Sequence, residues 1–165
     1  NAFQTTMATY TGQNVGAGHI DRVKQGVRQT MIISLVMTLL ISGAVTLFAE
    51  PISLLFGLSG QAEEYCLQHL RTVALINIVL SLYIPLFGVF QGSNHTGIPT
   101  IVATGALGVR VLVTYLFRYS SFLGYRIIWW NGLFGFGMGF LITWTYYLSG
   151  RWQKNAALAK GGTET

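Results

Sequence analysis

The sequence predicts an all-α fold, a polytopic transmembrane helical bundle, and three observations support that prediction. Hydrophobic residues make up 52% of the 165 residues, whereas charged residues make up only 9%. An average soluble domain carries about 25% charged residues, so this chain has too few charges to cover a surface that faces water. Residues 29–49, 72–109 and 127–150 contain no Asp, Glu, Lys or Arg. A helix needs about 20 predominantly apolar residues to cross a bilayer, and each of these stretches is long enough.

Five transmembrane segments are predicted in order along the chain. Their approximate bounds are residues 1–18, 29–49, 63–91, 99–117 and 124–149. Pro51 ends the second segment because proline cannot continue a helix, and the turn at 92–99 separates the third from the fourth. The first segment starts at Asn1 without an initiator methionine, so we expect it to be truncated and the chain to be a fragment of a larger protein. Residues 1–150 form the predicted membrane domain and residues 151–165 a tail.

Arg110 lies inside the fourth segment, in the otherwise apolar run TGALGVRVLVTYLF at 104–117. The helical rise places it about 12 Å from the Arg118 end of that segment. An arginine at the centre of a membrane helix costs about 2.5–3.5 kcal/mol on insertion scales, so it should face the interior of the bundle. Two interpretations stay open, namely that Arg110 holds a neighbouring helix or that it faces a cavity and acts in gating or substrate discrimination.

The distribution of basic residues predicts the orientation of the chain. One side of the membrane receives the six residues Arg22, Lys24, Arg28, Arg151, Lys154 and Lys160. The opposite side receives Arg71, Arg118 and Arg126. By the positive-inside rule, the first side is cytoplasmic, together with the C-terminus. We expect a multi-pass protein of the plasma membrane, such as a bacterial inner membrane, with its C-terminus in the cytoplasm.

Glycines and aromatic residues suggest how the helices pack. Three pairs have the GxxxG spacing that lets helix backbones approach closely, namely Gly12 and Gly16, Gly88 and Gly92, and Gly135 and Gly139. Packing and a hinge in a moving protein both remain possible roles for them. An aromatic belt at the membrane interface is predicted from Trp129, Trp130, Tyr147 and Trp152.

Several other functions are disfavoured by the sequence. The net charge of +5 forms no dense basic patch or known motif, so no nucleic-acid partner is expected. Cys66 is the only cysteine and cannot form an internal disulfide. His69 and His95 have no Cys or acidic partners at metal-ligand spacing, so no metal site is expected. The sequon that begins at Asn94 lies on the side predicted to be cytoplasmic, which argues against glycosylation.

Four segments, in the same order and spacing, resemble the multidrug and toxic compound extrusion (MATE) family. ATYTGQNVGAGHIDRVKQG (8–26) resembles its GQxxGAGxxxR segment, and FQGSNHTGIPTIV (90–102) resembles RGxGDTxxP at a helix end. LGYRIIWWNGLFG (123–135) resembles the entry to the last helix, and SGRWQ (149–153) its exit. The resemblance implies twelve helices in two six-helix lobes, of which this chain would supply helices 8–12. The N-terminal lobe would then be a missing partner.

The resemblance also implies export of small cationic or amphipathic drugs by antiport with Na⁺ or H⁺, without another cofactor and without enzymatic activity. Arg110 matches an arginine often seen at this place in the family, and Asn77 stands where relatives use polar or acidic groups. Asn77 is interpreted either as an interhelical hydrogen bond or as a cavity contact. Tyr83 and Tyr115 are candidates to stack on flat cations, although packing in the core is the alternative.

The chain departs from the family in its acidic residues. All five lie in loops, at helix ends or in the tail, namely Asp21, Glu50, Glu63, Glu64 and Glu164. His95 replaces the usual Asp of the GDT motif. The carboxylate that binds the coupling ion is therefore expected outside this chain, in the N-terminal lobe or the seventh helix. Two alternatives remain, a flippase for lipid-linked oligosaccharides and an intramembrane protease suggested by EEYCLQHLR at 63–71.

Overall fold

A computed structural model describes residues 2–117 and 127–153, except for the side chains of Ile128 and Trp129. All regular structure in these residues is helical. The elements are α1 (Ala2–Gly16), α2 (Ile20–Leu47), α3 (Ala49–Leu55), α4 (Gln61–Ser81), α5 (Ile84–Gly92), α6 (Gly97–Phe117), α7 (Ile127–Leu148) and a 3₁₀ turn (Arg151–Gln153). The predicted all-α class is confirmed.

The described helices include candidates for membrane spans at Ile20–Leu47, Gln61–Gly92 and Gly97–Phe117. Large apolar side chains cover the outer faces of α2 and α6, where Leu40 is 64% and Val111 is 63% exposed. A soluble monomer rarely exposes apolar patches of this extent, whereas a helix in lipid needs them. The helices and their outward-facing side chains together support the predicted transmembrane bundle.

The predicted third segment, residues 63–91, is divided into two helices. Helix α4 ends at Ser81, and α5 begins at Ile84 with Pro85 in its first turn. Proline is tolerated there because the first turn of a helix does not use its backbone N–H groups. The N–H of Tyr83 donates to the Leu80 carbonyl at 3.2 Å, which tightens the connection. The break therefore lies within the candidate span, and we name it the Leu82–Tyr83 break.

Helices α1 and α5 pack without room for side chains at their crossing. A Cβ placed at Gly88 or Gly92 would collide with backbone atoms of α1, and one at Gly12 would lie 3.6 Å from the Gly92 carbonyl oxygen. Gly16 differs, because nothing lies within 4 Å of its Cβ position. Three of these four predicted glycines therefore lie at the α1–α5 contact, and Gly16 does not.

The buried core lies between four elements, namely α1, α2, α5 and the C-terminal end of α7. Met7, Leu86 and Phe90 are among its most deeply buried side chains. Trp152 is also fully buried, and it stacks on Tyr147 with ring centroids 5.5 Å apart. The predicted place of Trp152 in an aromatic belt is therefore wrong, because its ring is used to pack the 3₁₀ turn against α7. The side chain of Trp129 lies outside the described part of the chain.

Candidate functional site

Helix α6 directs Arg110 towards α7. Val102 and Ala106 are buried on the same stripe of α6, because residues three or four apart share a helix face. A Cβ placed at Gly135 of α7 would collide with the Arg110 side chain and would lie 2.7 Å from the Ala106 carbonyl oxygen. The aliphatic part of the Arg110 side chain therefore crosses α7 at Gly135, where the absence of a side chain leaves space for it.

A closed hydrogen-bond network holds the guanidinium. Arg110 Nε donates to Asn131 Oδ1 at 3.2 Å, and Asn131 Nδ2 donates to Thr114 Oγ1 at 3.0 Å. The Thr114 hydroxyl in turn donates to the Arg110 carbonyl at 2.8 Å. The guanidinium carbon also lies 5.3 Å from the centre of the Phe136 ring, within cation–π range. These contacts join α6 to α7 through neutral partners.

The same arginine lines an open cleft of about 420 Å³ between α6 and α7. Tyr115, 63% exposed, is on its rim, and Leu107, Val111, Thr114 and Asn131 complete the lining. The structure thus brings two predicted site residues, Arg110 and Tyr115, to one cleft. Arg110 holds a neighbouring helix and also borders a cleft, so both interpretations of its role correspond to contacts that the structure contains.

Asn77 lies elsewhere, in a cleft of about 340 Å³ that borders α1, α2, α4 and α5. Within the described ranges, the lining contains four hydroxyl side chains, those of Ser34, Thr38, Ser42 and Ser81, and no charged residue. Apolar contacts come from Phe3, Ile41, Leu80 and Ile84. We name this the Asn77 cleft.

Two hydroxyl groups of the Asn77 cleft bridge α2 to α4. Ser34 Oγ donates to the carbonyl of Ser81 at 3.4 Å, and Ser42 Oγ donates to the carbonyl of Ala74 at 3.3 Å. Ser81 is the last residue of α4, so the cleft adjoins the Leu82–Tyr83 break. The cleft therefore offers amide, hydroxyl and backbone oxygens inside an otherwise apolar span.

Tyr83 belongs to the core and lines neither of these two clefts. Its side chain is 3% exposed and contacts the Phe87 ring edge to face, with centroids 5.4 Å apart. Its hydroxyl lies 3.3 Å from the position that a Cβ at Gly139 would take. Of the two roles predicted for Tyr83, packing is the one to which its surroundings correspond.

Sequence reasoning missed Asn131 and Thr114 as partners of Arg110. Asn131 did give a signal, because it is the only Asn, Gln or charged residue in the segment 127–149. A lone amide in a membrane helix calls for a polar partner on a neighbouring helix. Thr114 gave no such signal, since its hydroxyl can bond to the carbonyl one turn earlier in any helix, as it does here.

The acidic pair of the suggested protease motif makes local contacts. Glu63 accepts a hydrogen bond from Ser53 Oγ at 3.4 Å, and Glu64 accepts one from Gln68 Nε2 at 3.0 Å. Both acids lie in the first turn of α4, where the helix dipole favours negative charge. The stabilisation of α4 therefore accounts for the positions of Glu63 and Glu64.

The comparisons with known proteins agree with the motifs. The MatE family model matches residues 1–116. "Probable multidrug resistance protein NorM" of Thermotoga maritima is 24% identical over 159 residues, which cover 93% of this chain and 33% of that protein. The chain therefore spans about a third of the length of this relative. No solved structure matches the chain at a significant level. With a family model that matches more than half of its residues, this chain belongs to the MatE family.

Proposed function

We propose that this chain is part of an efflux transporter that exports cationic or amphipathic molecules in exchange for Na⁺ or H⁺. Family membership and the likeness to a probable multidrug resistance protein support this function. The chain would supply helices of a C-terminal lobe, which rocks against an N-terminal lobe about a shared cavity. We place it in the plasma membrane with residues 151–165 on the cytoplasmic side, on the basis of its basic residues.

The observation that carries the proposal is the uncharged, oxygen-rich Asn77 cleft beside a broken helix. Discontinuous membrane helices commonly form transport sites, because the break frees backbone carbonyls within the membrane. Neutral oxygens and the Phe3 ring suit an organic cation with apolar parts. The cleft at Arg110, by contrast, presents a fixed positive charge that repels such a molecule. We therefore assign substrate contact to Asn77 and helix positioning to Arg110.

A pair of matched substitutions tests this assignment. Thr38→Val removes a hydroxyl from the Asn77 cleft, whereas Thr104→Val makes the same change on an exposed part of α6 outside both clefts. We expect Thr38→Val and Asn77→Leu to reduce efflux of a cationic dye severalfold in cells that express the intact transporter at equal levels. Thr104→Val should leave efflux unchanged. Normal efflux by Asn77→Leu would contradict the assignment.

The coupling ion is tested separately. Proteoliposomes that contain the intact transporter are given either a Na⁺ gradient or a pH gradient, and dye transport is followed against each. Acceleration by one gradient identifies the ion, and acceleration by neither contradicts antiport. The carboxylate for that ion is proposed to lie outside this chain, because the acids at Asp21, Glu50, Glu63 and Glu64 are all at helix ends or connections.

Two substitutions separate the exporter from the alternatives. Glu63→Gln and Glu64→Gln should leave dye efflux largely intact, whereas a protease that used these carboxylates would lose its activity. A flippase for pyrophosphate lipids would need several deep cations, and Arg110 is the only Lys or Arg in the stretch 72–117. Transport of a pyrophosphate lipid with no transport of cationic dyes would favour the flippase.

A further inference from the structure

A third cleft, which we name the α2–α7 groove, lies between α2 and α7 with a volume of about 390 Å³. Two basic residues, Lys24 and Arg28, line it on α2. The remaining lining is apolar or aromatic and consists of Val27, Met31, Ile32, Leu35, Leu82, Trp144 and Tyr147. Among the described residues, no acidic side chain lines it, so the groove combines positive charge with an apolar surface.

The basic and apolar parts of the groove follow one another along a single face of α2. Lys24, Arg28, Met31 and Leu35 recur at intervals of three or four residues, which places them on one side of the helix. The helical rise gives about 16 Å from Lys24 to Leu35, comparable with the length of a fatty acyl chain. Charge is therefore confined to one end of an elongated apolar surface.

The charged end lies at the level expected for lipid headgroups. Helix α2 has 28 residues, and at about 1.5 Å per residue it exceeds the roughly 30 Å of hydrocarbon. Lys24 lies in the second turn after the start of α2 at Ile20. Its ammonium group can thus reach the phosphate region while Leu35 lies among acyl chains.

The opposite wall is aromatic and fixed by its neighbours. Trp144 contacts Phe140 and Tyr147 with ring centroids 6.0 and 5.9 Å away, and Tyr147 is stacked on Trp152. The indole Nε1 of Trp144 is buried and has no acceptor within the part of the chain that the structure describes. The ring contacts therefore fix the position of this aromatic wall.

We propose that the α2–α7 groove is a binding site for one anionic phospholipid. Its phosphate lies between Lys24 and Arg28, and an acyl chain lies along Met31, Ile32 and Leu35 against Trp144. Basic pockets between membrane helices bind anionic headgroups in this way, each base contributing about fivefold in affinity. A transported cation is disfavoured by the same two charges, so this site is separate from the transport function proposed above.

Fluorescence quenching by brominated lipids tests the proposal on the intact protein in vesicles. The vesicles contain phosphatidylcholine and a rising fraction of dibromo-phosphatidylglycerol or dibromo-phosphatidylcholine. The part of the quenching that Trp144→Phe abolishes reports occupancy of the groove. We expect phosphatidylglycerol to be preferred by about fivefold to thirtyfold, since two bases act together. Equal quenching by the two lipids would overturn the proposal.

Matched variants distinguish a site from general attraction to an anionic surface. Lys24→Gln with Arg28→Gln should abolish the preference, whereas Arg22→Gln with Arg151→Gln removes the same charge from the same predicted side of the membrane, outside the groove, and should preserve it. Lys24→Arg with Arg28→Lys should also preserve it, which checks that changes in the groove leave the fold intact. Equal loss in the Arg22 and Arg151 variant overturns the proposal. Inorganic phosphate that binds as tightly as the phospholipid would show that the acyl chain contributes nothing to affinity, and this result would also overturn the proposal.

Discussion

Arg110 and Asn131 are joined across the α6–α7 interface by a hydrogen bond of 3.2 Å from Nε to Oδ1. A hydrogen bond to a charged group contributes about 1.5–3 kcal/mol. The chain therefore places a cation within a membrane helix, where the Asn131 amide and the Phe136 ring contact it. The contact explains how α7, which is apolar on most of its faces, is held at one rotation against α6.

We predict that Arg110→Ala and Asn131→Ala are non-additive. Each variant breaks the same contact, so a double-mutant cycle should give a coupling of about 1–2 kcal/mol. Thermal unfolding of the intact protein in detergent measures the stability, and dye efflux measures the function. The control is Arg118→Ala, which is chosen from the sequence because Arg118 lies outside the described ranges. This variant should leave export unchanged. Additive effects would mean that the two side chains act independently.

Gly135→Ala should destabilise the protein, because the added Cβ collides with the Arg110 side chain and the Ala106 carbonyl oxygen. Overpacking of this kind costs about 1–3 kcal/mol. Gly137→Ala is the matched control in the same helix, since nothing lies within 4 Å of its Cβ position. The control should be neutral or slightly stabilising, as alanine favours helix more than glycine does. A similar fall in melting temperature for both variants would contradict the packing argument.

Gly88→Ala should separate α1 from α5. The new methyl group would overlap the Gln4 carbonyl oxygen, and a backbone atom cannot move aside as a flexible side chain can. We expect a fall in stability at least as large as that for Gly135→Ala and a loss of export. Gly16→Ala and Gly43→Ala, which meet nothing within 4 Å, are the controls. Normal melting of Gly88→Ala would show that the two helices pack less closely than described.

Asn94 is the position in the α5–α6 turn where the left-handed backbone conformation can be tested. Its φ is 63°, and it replaces the second glycine of the family motif RGxGDT. Asn94→Gly should be neutral or mildly stabilising, because glycine adopts this conformation without strain. Asn94→Val should cost about 1–2 kcal/mol, because a β-branched residue is strained there. Melting temperatures of the two variants in detergent give the comparison, and equal values would contradict it.

Composition was sufficient to predict the fold class. Helices that cross a bilayer are long and apolar, and soluble proteins rarely contain several such segments. The interior direction of Arg110 also followed from the cost of a lipid-exposed charge. Its partner on α7 could not be predicted with the same ease. Asn131 is 21 residues away in sequence, and α7 has no strongly amphipathic face from which its rotation could be inferred.

The two tyrosines predicted as site residues also show that the surroundings of a side chain could not be predicted from the sequence. Tyr83 and Tyr115 both stand in apolar segments, yet Tyr83 is 3% exposed and Tyr115 is 63% exposed. The difference arises from the Leu82–Tyr83 break, which directs Tyr83 into the core beside Phe87. The sequence analysis placed Pro85 within one continuous segment, so the break was not foreseen. Trp152 was similarly misplaced, because its position depends on the 3₁₀ turn that follows α7.

The absence of clearance between α1 and α5 constrains how the proposed transporter could move. The backbones of the two helices touch at Gly88 and Gly92, so we expect α1 and α5 to move together. Helix α4 continues into α5 through Leu82 and Tyr83, while hydroxyl groups of α2 bind to its backbone. Bending during the proposed transport cycle would concentrate at this connection, which adjoins the Asn77 cleft, so movement of one half of the span would widen or narrow the substrate site proposed above.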